Sequence, residues 1–274
     1  MPFLFVALYG LLSGFFDVLP VSSFAHQAVL QNVFGVDGSL HLYKFLIHLA
    51  SLSALVFTSM SSITALLREQ RILSFPRRGM QAERKFTYEL RFVKTALLAA
   101  IISSAAILFT GRRIPSFLVI GILCVVNGVI VLVPEYLPYG NKTAKYMSRM
   151  DGVAFGFLSC LGLLPGLSRV ATMQCYASLR GADRTRSCNW ILLTLIPVFV
   201  ILSVFDLVGM FTAGIGTVTF LTFLSFVLGA FLSFVGTFAG VTVFRFLAAK
   251  VGFVGFGYYS IGTGLLAFFL YLMV

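Results

Sequence analysis

Two proline-led stretches concentrate reactive side chains in otherwise apolar surroundings: Leu19-Pro20-Val21-Ser22-Ser23-Phe24-Ala25-His26 and Leu164-Pro165-Gly166-Leu167-Ser168-Arg169. Pro20 can begin a helix, because its missing N–H would be unpaired in the first turn anyway, and the turn that follows offers free backbone donors. Ser22 and Ser23 sit beside those donors. His26 follows at i+4 and i+3, so imidazole and hydroxyl share one helical face, and Asp17 lies one turn before the break. This is the pattern of a nucleophile with an acid–base partner. The spacing leaves open Ser22 or Ser23 attacking with His26 as base, direct attack by His26, or activation of water. At the second break, Gly166 permits close backbone approach, Ser168 offers a hydroxyl, and Arg169 supplies a fixed cationic fork suited to phosphate. Two helix N-termini and one guanidinium make an anion site. A diphosphate head group on a hydrophobic tail would suit both the polar centre and its surroundings.

Those surroundings are lipid-soluble. The chain of 274 residues is 59% hydrophobic and 11% charged, and its apolar runs repeatedly reach the length of about 20 residues needed to cross a bilayer. A polytopic membrane protein is expected, in which polar groups are costly and mark a site by default. A serine in such a helix most often bonds a backbone carbonyl, but an arginine far from the loops, with no acidic neighbour in sequence, is harder to explain as packing. The apolar start at residues 2–12 lacks a basic n-region and a cleavage site, and is expected to remain in the mature fold. Net charge is +11, yet the basic residues fall in the gaps between apolar runs and no nucleic-acid motif accompanies them. Orientation in the membrane accounts for them better than nucleic-acid binding. Cys124, Cys160, Cys175 and Cys188 show no metal-ligand or pairing spacing and read as packing residues.

Six full spans are expected, over residues 41–67, 92–110, 116–134, 188–208, 218–244 and 252–274. The gap between the first two carries Arg68, Arg71, Arg77, Arg78, Arg84, Lys85, Arg91 and Lys94 against Glu69, Glu83 and Glu89, which fits a cytoplasmic loop. Lys142, Lys145 and Arg149 in the next basic gap, then Arg180, Arg184, Arg186, Arg245 and Lys250, need the same side. From Asp151 to Asp183 there are about 32 residues, too few for two crossings, yet the chain must return to the side it left. A re-entrant hairpin broken at Pro165-Gly166 satisfies this. The opening segment has the same design, broken at Pro20 and closed by a polar turn at Gly35-Val36-Asp37-Gly38. The uncharged connection 209–217 suits the external side, whereas Arg112 and Arg113 break the charge rule. The expected fold is thus an all-α integral membrane protein of one domain, 1–274, with six transmembrane helices and two re-entrant helical hairpins. Inverted repeats at about 1–134 and 152–274 are joined by a cytoplasmic loop, 135–151, and face each other around a site near the midplane. His48 is expected to line that cavity or bond a neighbouring helix, and His41 to be interfacial.

The first stretch resembles the L-P-V-S-S-T-G-H signature of the bacterial undecaprenyl-diphosphatase (bacitracin-resistance) family, and Pro165-Gly166-Leu167-Ser168-Arg169 resembles that family's P-G-x-S-R-S-G segment. Order, spacing and hydropathy agree over nearly the whole chain. The resemblance implies hydrolysis of undecaprenyl diphosphate to the monophosphate carrier used in cell-wall synthesis, on the outer side of the bacterial cytoplasmic membrane, with a divalent cation such as Mg²⁺ or Ca²⁺. By position it assigns Ser22, Ser23, His26 and Asp17 to catalysis, Ser168, Arg169 and Gly166 to the diphosphate, and Asp17 to the metal. The family's E-x-x-x-E pair is replaced by Ser13 and Asp17, Thr-Gly by Phe24-Ala25, and the Ser-Gly after the arginine by Val170-Ala171. Phe256-Gly257-Tyr258-Tyr259-Ser260 lacks the arginine that often follows the family's tyrosine. A carrier that moves polyprenyl phosphate between leaflets without hydrolysis is the alternative. Partners are then a polyprenyl diphosphate and membrane lipids, with no nucleic acid and the oligomeric state left open.

Overall fold

The computed structural model describes residues 3–36, 40–74, 84–111, 116–138, 140–214 and 218–273. Asp37, Gly38, Arg77, Arg78, Glu83, Arg112, Arg113 and the end of the 209–217 connection, all used in the topological reading, lie outside the described residues. Eleven α-helices follow one another among the described residues: α1 (Phe3–Asp17), α2 (Ser23–Val33), α3 (His41–Ser74), α4 (Arg84–Ser104), α5 (Ile107–Thr110), α6 (Phe117–Leu132), α7 (Arg149–Phe157), α8 (Arg169–Leu179), α9 (Arg184–Ala213), α10 (Phe220–Lys250) and α11 (Val254–Met273). Short 3₁₀ turns, Val133–Tyr136, Ala144–Tyr146 and Leu158–Leu163, extend α6, cross the central loop and extend α7.

Six of these segments are long and apolar enough to cross a bilayer: His41–Ser74, Thr87–Thr110, Phe117–Tyr136, Arg184–Ala213, Phe220–Lys250 and Val254–Leu272. The protein is an all-α multi-pass membrane protein with the six spans that hydropathy predicts. The helices overrun the apolar windows at their charged ends: α3 continues through the exposed Arg68 and Arg71 and the buried Glu69, which accepts from the Thr87 hydroxyl at 2.6 Å. The second span is interrupted at residues 105–106, between α4 and α5, with neither proline nor glycine to announce it.

Small residues let the helices approach closely where no water drives them together. A Cβ on Gly14 would lie 2.8 Å from the Ser233 carbonyl carbon and 2.1 Å from its oxygen, so α1 and α10 meet backbone to backbone. Gly156 of α7 is equally pressed against Ala96 of α4. The main core gathers on α9, whose span is 56% buried against 22% for α11. Phe92 and Trp190 pack there with ring centroids 4.6 Å apart, and Phe155 closes on Phe92 at 5.5 Å.

At one end of the bundle, three arginines expected on a common side find acids from the loops and neighbouring helices. Arg184 pairs with Glu135 at 2.9 Å, Arg180 with Asp151 at 2.8 Å and Arg186 with Glu89 at 3.1 Å. Asp151 also closes a capping box with Ser148 at the start of α7. Burial pushes its carboxyl up, but the Ser148 N–H, the Arg180 guanidinium and the hydroxyls of Tyr176 and Ser148 hold it down at about 2. The end of α8 is thereby fastened to the start of α7, so the second hairpin is closed at its base.

Candidate active site at the paired helix breaks

The two breaks meet. Pro20 has no N–H to continue α1, and α2 restarts at Ser23 with Ser22 as N-cap, its hydroxyl accepting from the Ala25 amide at 3.3 Å. Ser168 caps α8 in the same way, accepting from the Ala171 amide at 3.3 Å. Each capping hydroxyl also reaches the opposite break. The Gly166 amide donates to Ser22 Oγ at 2.9 Å, and Ser168 Oγ donates to the Leu19 carbonyl at 3.1 Å. Ser22, Ser168 and Gly166 therefore brace one turn against the other. Gly166 has φ +117, which favours glycine, and a Cβ there would lie 2.4 Å from Leu123 Cβ. Its bare α-carbon faces α6 and its amide is taken by Ser22; the close approach expected toward a ligand is made instead to a helix.

Asn127 of α6 completes the brace. Fully buried, it donates to the Pro20 carbonyl and to Ser260 Oγ, both at 3.1 Å, and accepts from the Ser168 amide at 2.8 Å. Sequence reasoning passed over it, although a carboxamide in the middle of the apolar run 116–134 was a signal. Leaving a buried group unpaired costs about 1–3 kcal/mol, and Asn127→Leu strands the Ser168 amide and the Pro20 carbonyl together. The expected result is a fall of roughly 5–10 °C in the unfolding midpoint of detergent-purified protein. A bilayer-facing change such as Val126→Leu should leave the midpoint where it was, and an unchanged midpoint for Asn127→Leu would show that the brace contributes nothing.

Beside this brace, Asp17, Ser23, Ser168 and Arg169 line one cavity with Phe16, Phe24 and Gly162. Asp17, Ser23 and Arg169 are 6%, 7% and 5% exposed, which in a helical membrane protein is where charge needs a purpose. Ser23 Oγ donates to Asp17 Oδ1, while Asp17 Oδ2 is buried with no hydrogen-bond partner among the described residues. Arg169 Nη2 leans on the Gly162 carbonyl at 3.4 Å. The cavity measures about 10 Å³, room for about one water, so a phosphate enters only as the two turns move apart. Ser13, one turn before Asp17, accepts from Gln27 Nε2 at 3.0 Å. A neutral pair thus fills the place where the resembled family has its first glutamate.

His26 is placed differently from expectation. Its Nδ1 lies 2.7 Å from the Ser22 carbonyl, which can only accept, so Nδ1 carries the proton and Nε2 faces the Tyr259 hydroxyl at 2.7 Å. Neither ring nitrogen bonds the hydroxyl of Ser22 or Ser23, and the carboxylate holding Ser23 is Asp17. The imidazole stacks on Phe16 at 4.2 Å. It borders a second, apolar cleft of about 190 Å³ between α1, α2, α6 and α11, lined by Leu12, Val29, Cys124, Tyr259 and Leu270. Phe16, on which His26 stacks, lines the Arg169 cavity. Tyr259 is the second residue that sequence reasoning missed.

His48 bonds a neighbouring helix: Nδ1 lies 2.8 Å from Asp206 Oδ2, and His41 Nδ1 lies 3.1 Å from the other oxygen. These three side chains tie α3 to α9 away from the breaks. The cysteines are free, as their spacing suggested. No cluster of three or more His, Cys, Asp or Glu side chains able to hold a metal occurs among the described residues. The one open carboxylate oxygen on Asp17 does fit an ion that takes its other ligands from phosphate and water, the usual habit of Mg²⁺.

Fold and site together define a multi-pass helical membrane protein built around paired, proline-broken helical turns that enclose an acid, a hydroxyl and a guanidinium. The chain belongs to the family described as bacitracin resistance protein BacA, whose model matches residues 6–266. It is similar to undecaprenyl-diphosphatase 1 of Shouchella clausii, 28% identical over 98% of this chain and 96% of that protein. It also resembles the undecaprenyl-diphosphatases of Alkaliphilus metalliredigens, 27% identical over 94% of each chain, and Carboxydothermus hydrogenoformans, 24% identical over 91% and 90%.

Proposed function

We propose that this chain is an undecaprenyl-diphosphate phosphatase, releasing inorganic phosphate and leaving undecaprenyl phosphate for reuse as a lipid carrier in cell-wall synthesis. The observation that carries the reading is the Ser23 hydroxyl held by Asp17 in the same buried cavity as Arg169. The names of the relatives supply the substrate. Arg169 holds the non-bridging oxygens of the terminal phosphate and offsets the charge that builds there. Asp17 takes the Ser23 proton as Ser23 Oγ bonds to phosphorus and the bridging P–O bond breaks, and water then hydrolyses the phosphoserine. A divalent cation held by Asp17 Oδ2 and phosphate oxygens would supply Lewis-acid polarisation. His26, at the head of the apolar cleft, is assigned to the lipid-side phosphate, and the cleft itself to the first isoprene units.

The two broken hairpins are read as re-entrant, and the halves 1–134 and 152–274, joined by loop 135–151, as an inverted repeat. Helix α1 has 15 residues, about 22 Å of rise against the roughly 30 Å of a bilayer core. The packing supports the repeat: α1 lies on α10 as α7 lies on α4, α3 on α10 as α9 on α4, and α3 with α9 and α6 with α11 pair across the halves. Basic ends cytoplasmic and the site open to the outer side of the bacterial cytoplasmic membrane complete the proposal. A carrier without hydrolysis finds no support in the site, because a hydroxyl bonded to a carboxylate is equipment for attack. Purified protein given a polyprenyl diphosphate is expected to release inorganic phosphate, faster with Mg²⁺ or Ca²⁺ than with a chelator. Movement of polyprenyl phosphate across liposomes with no phosphate release would overturn the reading.

A further inference from the structure

Away from the breaks, α3, α4 and α9 enclose a cleft of about 750 Å³ whose walls include Val56, Ile63, Leu97, Ile196 and Val200, with Gln70 and Lys94 as its polar members. Leu66, Val93 and Leu193 belong also to a second cavity of about 430 Å³, so the two abut. That second cavity is polar, lined by Ser61, Ser62, Asn189, Glu89, Asp183 and Arg186. An apolar cleft opening into a charged mouth has the profile of an amphiphile. The mouth lies where α3 ends and α9 begins, the end that carries the arginine pairs.

The charges select the head group. Glu89 and Asp183 bring two negative charges, Arg186 and Lys94 two positive ones. A lone phosphate would face two carboxylates; a zwitterion matches both signs. Arg186 spans 3.1 Å to Glu89 and 4.0 Å to Asp183, with its side chain 32% exposed, so a ligand can reach it. At the junction of the cavities, Pro197 has no N–H to give the Leu193 carbonyl, whose α-helical partner is therefore missing. The two carboxylates at the mouth call for a head group that donates.

We propose that this cleft binds a zwitterionic phospholipid with a primary ammonium, its chain along α3, α4 and α9, its phosphate at Arg186 and its ammonium at Glu89 and Asp183. The site shares no residue with the helix breaks and does not depend on their chemistry. Native mass spectrometry of the detergent-purified protein tests it, using lipids with identical chains and ethanolamine, choline or glycerol head groups. Charge-assisted N–H bonds that choline cannot make should favour the ethanolamine lipid by about tenfold over both others. Glu89→Gln should erase most of that preference, and Val200→Trp, at a bilayer-facing position 43% exposed, should remove the adduct by filling the cleft. Equal retention of the three lipids, preference for the glycerol head group, a lipid-free dimer, a preference untouched by Glu89→Gln, or an undiminished adduct in Val200→Trp would each overturn the proposal.

Discussion

Asp17→Asn is expected to lower the rate of phosphate release by about a thousandfold while leaving the unfolding midpoint unchanged, since a positioned base contributes roughly 10²–10⁴. The replacement keeps the shape, and its amide oxygen still accepts from Ser23, so the turn between α1 and α2 stays closed. What disappears is the charge that receives the Ser23 proton, together with the open oxygen available to a cation. Among the described residues no second acid lines the cavity, and Ser13 in the neighbouring turn is engaged by Gln27. Measured at saturating polyprenyl diphosphate, the loss should fall on kcat. Turnover within threefold of the parent protein would remove Asp17 from the mechanism and with it the assignment of Ser23 as nucleophile. Asp17→Glu should retain more activity than Asp17→Asn, as it restores the charge on a longer stem.

How much of this was legible beforehand follows from the range of each interaction. Hydropathy alone located the six spans, because each is a local property of about 20 residues. Pro20 and Pro165-Gly166 located both breaks, but Ser22 and Ser168, read as nucleophile and phosphate ligand, are the N-caps of α2 and α8, each accepting from the amide three residues on. The interruption between α4 and α5 was not legible, there being no proline or glycine at 105–106. Nor were the bonds that join the breaks: Asn127 reaches Pro20 across 107 residues and Ser168 across 41, and Tyr259 reaches His26 across 233. Helical spacing placed His26 and the serines on one face, but Ser22 is the N-cap outside α2, Ser23 lines the Asp17–Arg169 cavity and His26 borders the apolar cleft. The Ser22 carbonyl, which already accepts from the His26 amide at 3.4 Å as the N-cap of α2, also takes Nδ1 at 2.7 Å, so the imidazole is turned from both hydroxyls. The hydrogen-bond partner of Ser23 is instead the Asp17 carboxylate before the break. Gly166 shows the same limit, since φ +117 called for glycine while α6, distant in sequence, decided what its bare α-carbon would meet.

Arg169→Gln is expected to cost about 10²–10³ in kcat/KM, the usual consequence of removing a donor aimed at developing charge in a dry site. The side chain is 5% exposed and enters the same cavity as Asp17 and Ser23, so no bulk water can stand in for it. Glutamine can still donate to the Gly162 carbonyl, which the guanidinium meets at 3.4 Å, and so tests charge more than packing. Lysine restores the charge but not the two-pronged fork, and should recover only part of the loss. Because the cavity must open before phosphate fits, the guanidinium also has a role before chemistry: attraction between it and the incoming diphosphate is what offsets the separation of the two turns. The Arg169→Gln defect should therefore appear in KM as well as kcat, whereas that of Asp17→Asn should be confined to kcat. Matching profiles for the two variants would mean that binding and proton transfer are not divided between the two breaks, and a variant with unaltered kcat/KM would place the diphosphate elsewhere.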